Sequence, residues 1–400
     1  MIAEYFKLAV RNLWKKGIRS WLTMLGIFVG IAAVVSLISL GQGMDDAIKG
    51  QFSSIGSNII IVMPGAGFES FGSAKLYKHD EDIIKGVRGV DNLAPFQAKV
   101  SKVEYNRKVQ YLPVNGAPAD DRYKLIEDMG IKIAQGRRPQ PSDRFKAFLG
   151  SRFASGDVFK NKYLKVGDKI TIDGHEFEVS GVLESIGNPQ DDSTVWIPID
   201  TAQDIFNDKG YVEIIVETKS GFKPSDVADD IKQKMRRDRG EKEGEEDFTV
   251  QTSDQLLESV SGILNAVQAV LIGIAAISLM VGGIGIMNTM YTSVLERTSE
   301  IGVMKAIGAK NSDILTIFLI ESGVIGTFGG IIGIIMGLGL SKTVEFYATN
   351  VLGDSLLKAS TSPYLIVGAL LFSFVVGCAS GTFPAIQASK LRPVEALRYE

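Results

Sequence analysis

One cysteine in 400 residues, Cys378, leaves no partner for an intrachain disulfide. The two histidines, His79 and His175, stand far apart with no companion cysteine, so neither has the neighbours that a metal site needs. The dipeptide Gly-Lys never occurs, which excludes the glycine-rich loop that cradles phosphates beside a lysine. No nucleophile and base stand out as a pair, and the chain reads as non-catalytic, binding no cofactor of its own. With 43 basic and 46 acidic residues the formal net charge is −3, which gives no basic surplus for nucleic acid.

Charge is also missing locally. Trp21 to Leu40, Ser259 to Leu295 and Ala359 to Ser389 carry none, and Ile314 to Leu340 carries only Glu321. About 20 apolar residues cross the hydrocarbon core, so each stretch qualifies as a transmembrane helix. A mean hydropathy of +0.14 fits a mixture of lipid-embedded and ordinary globular parts. The globular part is the region of more than 200 residues between the first two stretches. The expected fold is therefore a membrane protein with four transmembrane α-helices and a large extracytoplasmic α/β (α+β) domain inserted between helices 1 and 2.

Orientation follows from the short flanks. Lys7, Arg11, Lys15, Lys16 and Arg19 precede the first span, Arg297, Lys305 and Lys310 lie between the second and third, and Lys390, Arg392 and Arg398 follow the fourth. The short loop on the other side has only Lys342 and Lys358. Both termini are expected in the cytoplasm of a multi-pass protein of the cell (inner or plasma) membrane. The first span is longer than a signal-peptide core, and Gly41-Gln-Gly-Met44 is a poor cleavage site, so it is expected to stay as an anchor.

Residues 1–19 space Ile2, Tyr5, Phe6, Ala9, Leu13 and Ile18 as one helix face, either an amphipathic surface helix or a basic flank that only fixes topology. In the domain, 169–173 and 175–180 alternate apolar and polar residues around Gly174, a hairpin signal. Strands are expected at 58–62, 196–199, 212–217 and 248–251, a helix at 224–235, and a solvated charged loop over 236–247. The first and last parts offer pieces of one module with the middle inserted. The expected boundaries are 20–42 for span 1, 43–115 with 207–255 for the porter-like module, and 116–206 for the insertion. Span 2 with a stalk covers 259–293, the inner loop 294–312, span 3 313–341, a short outer loop 342–361, span 4 362–387 and the tail 388–400. A wholly helical 259–295 would be about 55 Å long, well beyond the ~30 Å core, and a stiff extension toward the domain accounts for the excess.

Between Glu296 and Ala309, held by two spans, the chain reads Glu-Arg-Thr-Ser-Glu-Ile-Gly-Val-Met-Lys-Ala-Ile-Gly-Ala. A charged, patterned segment in that place lies at the membrane surface, where a soluble partner can grip it. Ile301 and Met304, three apart, are the expected buried anchor, ringed by Glu296, Arg297, Glu300 and Lys305. Gly26-x-x-x-Gly30 and Gly329-x-x-x-Gly333-x-x-x-Gly337 permit close helix approach, within one chain or between two copies. Glu321 is an intramembrane acid, a functional candidate by default, or a structural one that reaches water or a loop cation near the inner surface.

Residues 282–302, continuing into Lys305-Ala-Ile-Gly-Ala309, together with 384–398, resemble the MacB/FtsX-like permease family, the membrane subunits of ABC transporters. Leu8-Ala-Val-Arg-Asn-Leu13, Arg19 to Ile27, Leu149 to Ala154, Val166-Gly-Asp168 and Phe177 to Leu183 resemble the same family, of the MacB type, so the likeness covers essentially the whole chain. The resemblance implies a permease dimer and an ATPase docking on Glu296, Arg297, Thr298, Glu300, Ile301, Gly302, Met304 and Lys305. MacB itself carries its ATPase fused at the amino terminus. This chain begins at the amphipathic helix, so a separate ATPase chain holding ATP and Mg is expected. An extracytoplasmic adaptor or substrate protein is a candidate partner. The implied function is mechanotransmission for efflux or release of peptides, lipoproteins or hydrophobic compounds. The alternative is an FtsX-type scaffold that activates an external enzyme.

Overall fold

The computed structural model describes residues 17–65, 75–352 and 357–397. The leading amphipathic helix expected over 1–19 falls, apart from its last residues, outside them. The chain forms two compact units, one of Asp46–Ser261 and one holding the membrane-crossing helices.

Among the described residues four helices are long and apolar enough to cross a membrane: Leu25–Gly50 within the helix Gly17–Ile55, Ser253–Glu296, Asn311–Asn350 and Pro363–Ser389. Lipid offers backbone groups no hydrogen bonds, so such stretches satisfy them internally as helices. The second helix runs unbroken for 44 residues, about 66 Å. The third starts where the Lys310 amide donates to Asp313 Oδ2 at 2.9 Å, and the fourth starts on Pro363.

Small residues set how these helices pack. A methyl group on Gly326 would lie 2.4 Å from the Ser373 carbonyl oxygen, and one on Gly377 2.6 Å from that of Ser322, which brings the third and fourth spans backbone to backbone. Gly333 abuts Ile31 and the Phe28 carbonyl, and Gly337 abuts Ala32 and Val35 of the first span. Ile27, Ile31, Val35, Ile286, Met290, Phe318, Ile325 and Ile334 complete this core.

The α/β unit contains ten strands among the described residues: β1 Ile59–Pro64, β2 Val90–Tyr105, β3 Lys108–Ala117, β4 Ile133–Gly136, β5 Lys146–Leu149, β6 Lys169–Ile172, β7 His175–Leu183, β8 Val195–Pro198, β9 Glu213–Thr218 and β10 Phe248–Thr252. They pair in the order β10-β1-β9-β2-β3-β8-β5-β7-β4, with β6 joined to β2 and β7. In the first half of this sheet both faces are covered. Ile60, Val62, Ile214 and Val216 meet the helices Lys78–Lys85 and Pro224–Arg239. Ile59, Ile61 and Ile215 meet Tyr123, Leu125 and Ile126 of a helix on the other face. The second half packs Phe148's neighbours Ala147 and Leu149 with Phe153, Phe159 and Phe177. The β6–β7 turn places Asp173 and Gly174 at positive φ, as a two-residue hairpin turn requires.

β2 pairs with β9 through Phe96 and with β3 from Gln97 onward, so one strand runs through both halves of the sheet. The solvated loop expected over 236–247 is shorter: it spans 240–247, where Lys242, Glu243, Gly244, Glu245 and Asp247 are exposed. The helix continues to Arg239, Gly240 caps it in the left-handed conformation, and Arg239 bridges buried Asp80 at 2.8 Å and Asp247. Glu246 is buried against Arg236 and Lys232.

Candidate functional site

The helix of the second span ends at Glu296, and a short bridging helix starts at Thr298 and ends at Ala306. Arg297 between them leaves helical geometry at φ −109° and ψ 18°. The chain turns there without losing hydrogen bonds: the Arg297 amide donates to Ser293 O, and the Ile301 amide to Arg297 O. The Thr298 hydroxyl donates back to the carbonyls of Val294 and Leu295, serving the end of the preceding helix.

The two sides of the bridging helix have different surroundings. Ile301 is fully buried in the chain's own membrane core with Val294, Ile314, Ala385 and Ala388, and Met304 packs on the same cluster. Gly302 is buried beside them. The expected anchor therefore faces inward: an isoleucine with no exposed surface cannot enter a partner's cleft. Lys305 is likewise engaged, donating to Ser389 O at 2.5 Å and Leu391 O at 2.7 Å, where the fourth span leaves its last carbonyls without helical partners. The outward face carries Glu296, Ser299, Glu300, Val303, Ala306 and Ile307. Val303 is 50% exposed and Ile307 82%. A tail helix, Pro393–Leu397, packs on the bridging helix and presents Val394, 79% exposed. The i, i+4 spacing of Val303 and Ile307 was the available sequence signal for this face.

Arg297 Nη1 lies 3.2 Å from Glu321 Oε2 on the third span. Glu321 is 5% exposed at its side chain, and the intramembrane acid reaches the loop cation. Gly26 and Gly30 do not lie open for a second copy: Gly26 abuts Gly282 and Gly30 abuts Leu279 of the second span. Gly329 is buried and Gly333 packs on the first span. No group of three or more metal-ligating side chains occurs among the described residues.

The sequence profile of the MacB-like periplasmic core domain matches residues 20–234, and that of the FtsX-like permease C-terminal region matches 272–393. An uncharacterized ABC transporter permease of Methanocaldococcus jannaschii is 37% identical over 400 residues, covering 100% of this chain and 98% of that one. The chain belongs to the MacB/FtsX-like family of ABC transporter permeases. A second such permease, YknZ of Bacillus subtilis, is 30% identical over 411 residues and is covered over its full length, 100% of each chain. The macrolide export ATP-binding/permease protein MacB of Bdellovibrio bacteriovorus is 34% identical over 411 residues, covering 99% of this chain and 62% of that one. This permease is thus a multi-pass membrane protein with a MacB-like α/β domain between its first and second spans.

Proposed function

We propose that this permease converts ATP hydrolysis by a separate ATPase subunit, which holds ATP and Mg, into motion of its extracytoplasmic α/β unit. The observation that carries this reading is the two-sided bridging helix: one side is built into the cores of the spans, and the other leaves Val303 and Ile307 exposed. A helix with an exposed aliphatic pair fits a groove on a soluble partner. Force applied there reaches the second span directly, since one unbroken helix of 44 residues ends at the bridge. Glycine contacts and apolar side chains fill the space between the spans, which favours transmission of motion over a wet pore through one chain.

Both termini lie in the cytoplasm in this reading, and two copies work together. The cargo is a peptide, a lipoprotein or a hydrophobic compound handled outside the bilayer. The test is purification with the cognate ATPase in lipid vesicles and measurement of ATP hydrolysis with each cargo class. Stimulation that requires the permease is expected. An ATPase that neither co-purifies with the permease nor changes its rate refutes the reading.

A further inference from the structure

Arg297 stands where a pivot would be. It is the residue outside helical geometry between the second span and the bridging helix, so a pull on the bridge concentrates its bending there. The guanidinium is close to two carboxylates of unequal weight. Glu300, 3.8 Å away and 72% exposed, is a solvated i, i+3 neighbour whose attraction is screened. Glu321, 3.2 Å away, is enclosed by the third span, whose Phe318, Ser322, Val324 and Ile325 are buried around it in sequence. A carboxylate in such surroundings binds its cation far more strongly than one in water, and separating the two leaves a charge where it is poorly tolerated.

We propose that the Arg297–Glu321 pair is a positioning joint that makes the bridging helix and the third span move as one body. Bending the backbone at Arg297 re-aims its side chain, so a swing of the bridge would withdraw the guanidinium from Glu321 unless the third span moved with it. The third span is in turn held backbone to backbone against the fourth through Gly326 and Gly377. Lys305 ties the far end of the bridge to the end of the fourth span. Both ends of the bridge are thus strapped to the helices it must move. The docking reading above supplies the force; the joint itself is a property of this chain alone.

The experiment uses the complete permease in lipid with its ATPase, in a Cys378→Ser background, with spin labels at Ser299→Cys on the bridge and Thr316→Cys on the third span, both exposed positions. A single narrow distance is expected, unchanged between the nucleotide-free and ATP-trapped states. Glu321→Gln should broaden it and make it shift on ATP trapping, while the ATPase still co-purifies, and Arg297→Gln should broaden it already in the nucleotide-free state. Arg297→Lys, which keeps the charge, should hold the original distance. Should Glu321→Gln fail to accumulate, Arg297→Gln reads the same joint from its solvent side. Gln variants that keep the narrow, unchanging distance overturn the proposal. Failure of the ATPase to co-purify with the unaltered chain overturns the docking reading alone, because the nucleotide-free distances still decide the joint.

Discussion

Gly26 of the first span and Gly282 of the second meet so closely that a Cβ on Gly26 would lie 2.7 Å from the Gly282 Cα. The reverse holds as well, with a Cβ on Gly282 falling 2.6 Å from the Ile27 amide nitrogen. The neighbouring atoms are backbone and cannot swing aside. Gly26→Leu should therefore force the two helices apart within one chain, costing about 1–3 kcal/mol as overpacking does. Gly339→Leu, at a position with nothing within 4 Å, is the control. Thermal stability in detergent should fall for the first and not the second. Equal midpoints for both would show that the first and second spans do not touch at Gly26.

Glu213 supplies a pH dependence outside the membrane. It shares a face of β9 with Ile215, which is buried against Tyr123 and Leu125. Burial pushes its carboxyl group up to about 7 from the ordinary value of 4.5. A folded-state value above the unfolded one means that the folded domain holds the proton more tightly. The associated stability is fully present below about 4.5 and is lost as pH rises through about 7. Because part of the residue still meets solvent, the loss is roughly 2 kcal/mol, less than the full shift would give. Glu213→Gln should leave stability unchanged at pH 4.5 and raise it at pH 8, measured by denaturant unfolding of the α/β unit. An equal effect at both pH values would exclude titration as the cause.

What the sequence displayed plainly was whatever depends on neighbours in the chain. Asp173-Gly174 between alternating residues specifies the β6–β7 turn, and charge-free runs specify the spans. Contacts between distant segments were less legible. The apolar run Ile59–Val62 shows burial on both faces but not which helix covers each. Arg239 reads as one more charge in a charged loop until the fold brings Asp80, 159 residues away, beside it. Glu321 was visible as an anomaly and Arg297 only as one charge of the inner loop, and a loop cation was one of two destinations open to the acid. For the bridging helix, the spacing of Ile301 and Met304 marked an apolar face correctly. Periodicity has no sign, however, and that face turns into the chain's own core. The shared small-residue motifs were equally silent on whether they meet the same chain or a second copy.

Topology can be tested by labelling. In a Cys378→Ser background, cysteine at Glu243, which is exposed in the α/β unit, should react with a membrane-impermeant maleimide on intact cells. Cysteine at Ser312, exposed at the start of the third span, should react only after the membrane is opened. The positively charged flanks predict this orientation. Labelling of Ser312 from outside would invert it and place the bridging helix beyond the reach of a cytoplasmic ATPase.

Docking and packing should separate on the bridging helix, because one face is buried and the other exposed. Val303→Asp with Ile307→Asp places charge on the exposed aliphatic pair, where desolvation by a partner becomes unfavourable. The change should weaken ATPase co-purification by at least tenfold, since central apolar anchors contribute about 2 kcal/mol or more each. The permease itself should keep its yield and thermal midpoint, because neither side chain enters its core. Ile301→Ala should do the opposite. It removes a fully buried side chain and should cost about 2–5 kcal/mol of stability, while the protein that does fold still captures the ATPase. Glu300→Ala, at a solvated rim position, should change capture by less than about 1 kcal/mol. Full recovery of ATPase with the double aspartate variant would place the docking surface elsewhere, and the tail helix with its exposed Val394 would then be the surface to probe next.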